Sequence, residues 1–247
     1  MTSLSKPALA GCCALAALWI QPALASAPPE PTVRLDTTEV SVGAFRRFVQ
    51  ATGRVTRAEA QGGGLFYEGG WVQGPGWVWH SPYGRPAADD EPVVHLTHAE
   101  AQDFCRWRGS RLPTEAEWRR AAYTEQRPQP PAPFERGRLY PYPSGDAPQG
   151  AHCLGDCERP GRPRGVALGV TSRGEGHVPV GRTPPGVNGL HDMGGNVWEW
   201  VDSGPGPEQA TMGGSWWYGA APMHRQHRAT KPADMAVVYI GFRCVAP

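Results

Sequence analysis

Little in this chain of 247 residues is set out for binding nucleic acid: the formal net charge is only +1, and no lysine- or arginine-rich run is present. A phosphate backbone or an anionic membrane surface would need such a basic footprint, so no nucleic-acid partner is expected. Sustained helical periodicity is also scarce. Glycine (32) and proline (27) together approach a quarter of the residues, while tryptophan (10) is plentiful for this length. That balance excludes a helical bundle and points to a loop-rich fold held by aromatic anchors. The length suits one ordinary domain, or at most two small ones, with a core of its own.

Apolar runs long enough to span a bilayer are missing too. The longest stretch, Leu9 to Ile20, follows Lys6 and precedes Ala23-Leu24-Ala25. A positive start, a short apolar centre and a small-x-small site read as a cleaved export signal over residues 1–25 rather than a permanent anchor. Leu9-Ala10-Gly11-Cys12 has the look of a lipidation box, but it precedes the apolar centre instead of following it. The leader has no twin-arginine pair, which favours the general secretory route. A Pro-rich spacer, residues 26–32, leads to a domain over residues 33–247. After cleavage no integral membrane segment is expected, and the address is periplasmic or secreted. The mature chain then keeps Cys105, Cys153, Cys157 and Cys244, an even number in an oxidising compartment, which suggests disulfides. A zinc clip at His152, Cys153 and Cys157 is the competing reading, with no evident fourth ligand.

Along the domain, Val33-Arg34-Leu35 reads as a strand, and Ser41 opens a helix with Phe45, Phe48 and Val49 on one face, stopped at Gly53. Residues 54–92 combine Phe66, Tyr67, Trp71, Trp77 and Trp79 with glycines and prolines. Aromatic density argues for structure there, since disordered segments are aromatic-poor. Thr97/Glu100 and Thr114/Glu117 are capping boxes that open helices running to about Trp107 and Tyr123. Local capping accounts for these carboxylates without any catalytic role for Glu100, Glu115 or Glu117.

The stretch that organises the chain is Gly189-Leu190-His191-Asp192-Met193-Gly194-Gly195-Asn196-Val197-Trp198-Glu199-Trp200, followed by Gly213-Gly214-Ser215-Trp216. It fits neither a helical nor a strand period and reads as an irregular, metal-pinned turn: two carboxylates are hard ligands, and glycines let carbonyls turn inward. The competing reading has Asp192 capping a turn and Glu199 solvated. These blocks, with Gly241-Phe242-Arg243-Cys244-Val245, the run from Asp103 to Trp118 and Thr38-Glu39-Val40 through Gly53, closely resemble the formylglycine-generating enzyme and sulfatase-modifying-factor family from about Val33 to Val245.

The resemblance implies an α+β, C-type-lectin-like fold of low regular secondary structure, a Cys105–Cys244 bridge and, by remainder, a Cys153–Cys157 pair. It implies a structural calcium held by the side chains of Asp192 and Glu199 and the carbonyls of Gly195 and Val197. A second family calcium site is not expected, because Ser172 and His152 stand where its aspartate and asparagine belong. Copper-dependent members hold Cu(I) between two cysteines after the GGSW block and oxidise a cysteine of a partner protein. Tyr218 and Met223 occupy those positions here. Ser215 and Trp198 match residues near the family's active site, Tyr218 offers a phenol for acid/base or redox work, and Met223, His224 and His227 form a candidate copper or iron set. The expected function is an exported oxidoreductase-type maturation factor acting on a peptide or protein in a surface groove, without the copper-dithiolate site. The alternative is a non-catalytic peptide- or ligand-binding module on the same scaffold.

Overall fold

A computed structural model describes residues 1–2, 33–157 and 161–246. The stretch expected to be an export signal and spacer, and with it Cys12 and Cys13, lies outside the described residues apart from the first two positions. From Val33 onward the first regular element is helix α1, Val42–Thr52. The Ser41 side chain accepts from the Ala44 N–H at its start, and Gly53, with φ of 67°, ends it by donating its N–H to the Val49 carbonyl. Its Phe45 and Phe48 are buried, as their spacing requires.

A four-residue turn of helix, α2 (Arg57–Ala60), and a small hairpin, β1 (Leu65–Tyr67) with β2 (Trp71–Gln73), give structure to the aromatic stretch. Helices α3 (His98–Trp107) and α4 (Glu115–Tyr123) begin with the two expected capping boxes, each with both reciprocal hydrogen bonds formed. The strand expected at Val33–Leu35 is reduced to one bridge, Leu35 to Val245.

The last third builds the main sheet from β3 (Trp198–Trp200), β4 (Glu208–Met212), β5 (Ala229–Pro232) and β6 (Ile240–Phe242), in spatial order β5-β4-β3-β6. β3 pairs with β4 antiparallel and with β6 parallel, Glu199 lying opposite Gly241. All three residues of β3 are buried, so its two faces both meet the core. Phe45, Phe48, Phe104, Trp198, Trp200 and Phe242 share one cluster, and Trp118 with Met193 and Met212 forms a second behind it.

Both disulfides form, Cys105–Cys244 across a sequence separation of 139 and Cys153–Cys157 across 4. No helix among the described residues is long and apolar enough to cross a membrane.

Among the described residues four histidines, His95, His98, His152 and His177, are buried. His95 is fully enclosed, with Nε2 against the Pro82 carbonyl at 3.0 Å. Burial pulls its pKa down from the ordinary 6.5 to about 4. The unfolded chain therefore takes up a proton first as pH falls, so this group's contribution is present above pH 6.5 and lost between 6.5 and 4. Its size is about 3 kcal/mol. Thermal unfolding followed across that interval should show a Tm loss that a His95→Gln variant shows less of.

Candidate functional site

The stretch before β3 has no regular period because its backbone repeatedly enters the left-handed region: φ is 60° at Asp192, 79° at Gly195 and 50° at Asn196. A Cβ on Gly195 would stand 2.4 Å from the His152 carbonyl oxygen, so that position admits glycine alone. The Asn196 N–H donates to the same carbonyl, and its side chain ties three segments together: Oδ1 accepts from the Val178 N–H at 2.9 Å, and Nδ2 donates to Glu39 Oε1 at 2.9 Å.

The turn is pinned by an arginine. Arg243, fully buried and directly after β6, donates from Nη2 to Glu199 Oε1 at 2.7 Å and from Nε to Oε2 at 2.8 Å. Its remaining donors reach the carbonyls of Asp36 (2.9 Å) and His191 (2.8 Å). Trp118 Nε1 donates to Glu199 Oε2 at 2.7 Å. Asp192 is equally committed, accepting from the Gly181 N–H and from the Thr183 hydroxyl, both at 2.6 Å. Glu39 joins this network with one oxygen lacking any partner. Burial, and then the Asp192 charge, push its carboxyl well above the usual range, which favours the neutral acid.

The expected calcium set does not fit this arrangement. A guanidinium already balances Glu199 at hydrogen-bond distance, and it would repel a divalent ion brought to the same carboxylate. Gly195 and Val197 are buried, with the Gly195 N–H on the Gly213 carbonyl. Of the two carboxylates legible in the sequence, Glu199 therefore serves an internal ion pair and Asp192 holds the Gly181 N–H and the Thr183 hydroxyl. The ion-pair partner, 44 residues downstream of Glu199, carried no local signal.

The candidate redox set Met223, His224 and His227 is also not brought together. Met223, 1% exposed, closes a short 3-10 turn (Ala221–Met223) and packs with Cys153, Cys157 and Ala151. His224 lies edge-on to Tyr142 at 5.3 Å, and His227 lies on Trp198 at 5.9 Å. The turn sends the thioether inward and the two imidazoles to different neighbours.

What does converge is a series of rings. Trp198 is buried, its indole N–H has no partner, and around it stand Tyr218 (5.8 Å), His227 and the Lys231 ammonium (5.3 Å). From Tyr218 the series continues through Tyr239 (5.8 Å) to Trp71 (5.5 Å), which also meets Tyr67 (5.4 Å) and Trp217 (5.8 Å). The Arg173 guanidinium lies over Trp217 at 5.6 Å. Ser215 is fully buried behind it, its hydroxyl oxygen accepting from the Trp217 N–H at 3.4 Å.

The outer end of this series is open: Trp71 is 46% exposed, beside Tyr67 and Val72. Burial lowers the pKa of Lys231, and burial followed by the Lys231 and Arg119 charges lowers that of His227. Burial raises that of Tyr239.

Sequence reasoning missed Lys231, Tyr239 and Arg173. Only the aromatic density of residues 54–92 hinted at this face, and that stretch divides. Tyr67 and Trp71 go to the face, Trp79 packs on Phe45 in the core, and Trp77 stacks on Phe66 at 3.8 Å. A cavity of 790 Å³ lies elsewhere, lined by residues of α2, α3 and the β3–β4 connection, but Arg54 and Arg57 at its edge are paired to Asp103 and Asp234.

Comparison with known proteins agrees with this architecture. The model of the sulfatase-modifying factor enzyme 1-like domain matches residues 30–247. A formylglycine-generating enzyme of Bos taurus is 28% identical over 86% of this chain and 65% of its own length, so the chain spans about two thirds of that relative. An inactive C-alpha-formylglycine-generating enzyme 2 of Mus musculus is 30% identical over 86% of the chain and 74% of its own length. Among solved structures, PvdO from Pseudomonas aeruginosa superposes with a TM-score of 0.57 at 17% identity, over 86% of this chain and 80% of that one. With its loop-rich mixture of short helices and strands and its two disulfides, the chain belongs to the sulfatase-modifying factor enzyme 1-like, or formylglycine-generating enzyme, family.

Proposed function

We propose that this protein is an exported member of its family that uses the aromatic face to hold an extended peptide or protein segment, and does so without copper-dithiolate chemistry. The observation that carries this reading is the continuity of rings from exposed Trp71 through Tyr239 to Tyr218 and buried Trp198. Tyr218, on this face, and Met223, turned inward, stand where the resemblance calls for thiolates, and the rings offer the apolar and cation–π surface that a peptide backbone and its side chains exploit. Arg173 and Lys231 flank the rings and would favour a segment carrying acidic groups or carbonyls. Relatives named both as enzymes and as inactive forms are compatible with a fold that outlives its chemistry. Two disulfides suit the periplasm or the cell exterior.

The test is selection of ligands from a displayed peptide library, followed by titration and mass analysis of the retained peptide. A Trp71→Ala variant should bind at least tenfold more weakly, about 1.4 kcal/mol, with an unchanged Tm. Retained peptides, including a cysteine-containing Cys-x-Pro-x-Arg probe, should keep their mass. Conversion of that cysteine, or affinity indifferent to Trp71, would overturn the reading.

A catalytic reading draws on Tyr218, His227 and Lys231 grouped around Trp198, two of them with lowered proton affinity. It would show itself as peptide-dependent oxygen uptake lost in Tyr218→Phe.

A further inference from the structure

The Cys153–Cys157 bridge closes a very short loop, away from the main core, in a satellite cluster with Ala151, Ala220 and Met223. Inside that loop lies Asp156, an exposed residue whose Oδ1 stands 3.6 Å from Cys153 Sγ and accepts from the Ala220 N–H at 2.8 Å. Among the described residues, these three side chains form a group whose ligand atoms all lie within 4.8 Å of one another.

A disulfide is neutral and has no need of a carboxylate. Reduced, the same group becomes two thiols and a carboxylate. Its fully ionised form crowds three negative charges together, which is unfavourable alone and favourable around a cation. Thiolates select soft ions, and the Cys-x-x-x-Cys spacing falls within that of zinc-binding pairs. Two sulfurs and one oxygen supply three corners of a tetrahedron and leave the fourth for water or an incoming ligand.

We propose that Cys153–Cys157 is a reducible pair whose dithiol form, together with Asp156, binds one Zn(II). A dithiol reductant attacks one sulfur, passes through a mixed disulfide and departs as its own disulfide. Two electrons and two protons thereby reach Cys153 and Cys157, and zinc then displaces the two thiol protons. Two hydrogen bonds, Leu154 N–H to the Tyr218 carbonyl and Ala220 N–H to Asp156, join this loop to residues 218–220. The proposal is independent of peptide binding, since its ligand atoms belong to Cys153, Asp156 and Cys157 alone.

The full chain is treated with a water-soluble phosphine, which leaves as its oxide with the oxygen of water. Alkylation mapping then identifies Cys153 and Cys157, 4% and 1% exposed in a satellite cluster, as thiols while Cys105–Cys244, fully enclosed in the main core, stays bonded. The desalted protein is titrated with Zn(II), and with Co(II) for its thiolate charge-transfer absorption. One ion per chain in the reduced protein, two protons released and none bound by the oxidised protein are the expected results. Asp156→Asn should lower the affinity about tenfold while both thiols still form, and Cys153→Ser/Cys157→Ser should abolish binding. A bridge that resists reduction until the protein unfolds, a reduced protein that takes up no stoichiometric zinc, or an Asp156→Asn variant of unaltered affinity would each overturn the proposal. Asp156→Asn keeps the test open should the double serine variant fail to fold.

Discussion

Replacing Arg243 with methionine should destabilise the protein by about 3–5 kcal/mol, the usual cost of removing one partner from a buried ion pair. Methionine keeps much of the volume but leaves Glu199 with a single donor, Trp118, in a site with no water access. It also strips the carbonyls of Asp36 and His191 of their guanidinium donors. The neighbouring acids make the loss worse, because Asp192, Glu39 and Glu199 share one enclosed region and Arg243 is the cation that faces them. Urea denaturation of the variant should move the midpoint accordingly.

Two further substitutions discriminate this explanation from simple loss of packing. Glu199→Gln in the Arg243→Met background should recover part of the loss, since the uncompensated charge is then gone. Glu39→Gln should stabilise at pH 8. Its carboxyl is raised in the folded state, so its contribution is full below the unfolded pKa and is lost as pH rises through the folded value. An Arg243→Met cost below about 1 kcal/mol would return the network to the status of a solvent-screened pair.

The second large effect is expected from Cys105→Ala/Cys244→Ala. The bridge ties α3 to the end of β6 across a separation of 139 residues. Loop-closure entropy in the unfolded chain puts its contribution at about 5 kcal/mol, against about 2 kcal/mol for the short Cys153–Cys157 loop. Both half-cystines are fully buried, so reduction in the native state should spare this bridge and unfolding should precede its loss. Denaturation of the two double-alanine variants side by side checks the contrast. Equal losses would mean that native packing, rather than the size of the closed loop, decides.

The parts of the molecule that were legible in the sequence are those whose cause is local. Ser41 and Gly53 delimit α1 because a hydroxyl and a left-handed glycine act within four residues. The two capping boxes act within three, and both formed. The family blocks carried the fold and the pairing of Cys105 with Cys244.

What was not legible depends on partners far away in the chain. Glu199 reads as a hard metal ligand until Arg243 is placed beside it, and Met223 reads as a ligand beside two histidines until its turn sends it toward Cys153 and Cys157. Strands of three residues, such as β3 and β6, carry too few positions to show alternation. Their register comes from packing Trp198 and Trp200 into a core assembled from distant segments. The aromatic face escaped detection for the same reason, drawing Trp71, Tyr218, Lys231 and Tyr239 from four separate places.

The bridge between Leu35 and Val245, reinforced by hydrogen bonds from the Asp36 N–H to the Cys244 carbonyl and from the Ala246 N–H to the Arg34 carbonyl, has a topological consequence. The chain enters and leaves the folded body at a single point. A domain built this way can be spliced into a loop of a host protein as a cassette, displacing the host's backbone by only one strand spacing. It can equally be closed by a short linker and reopened at an exposed turn, with its order of segments permuted and its interior unchanged.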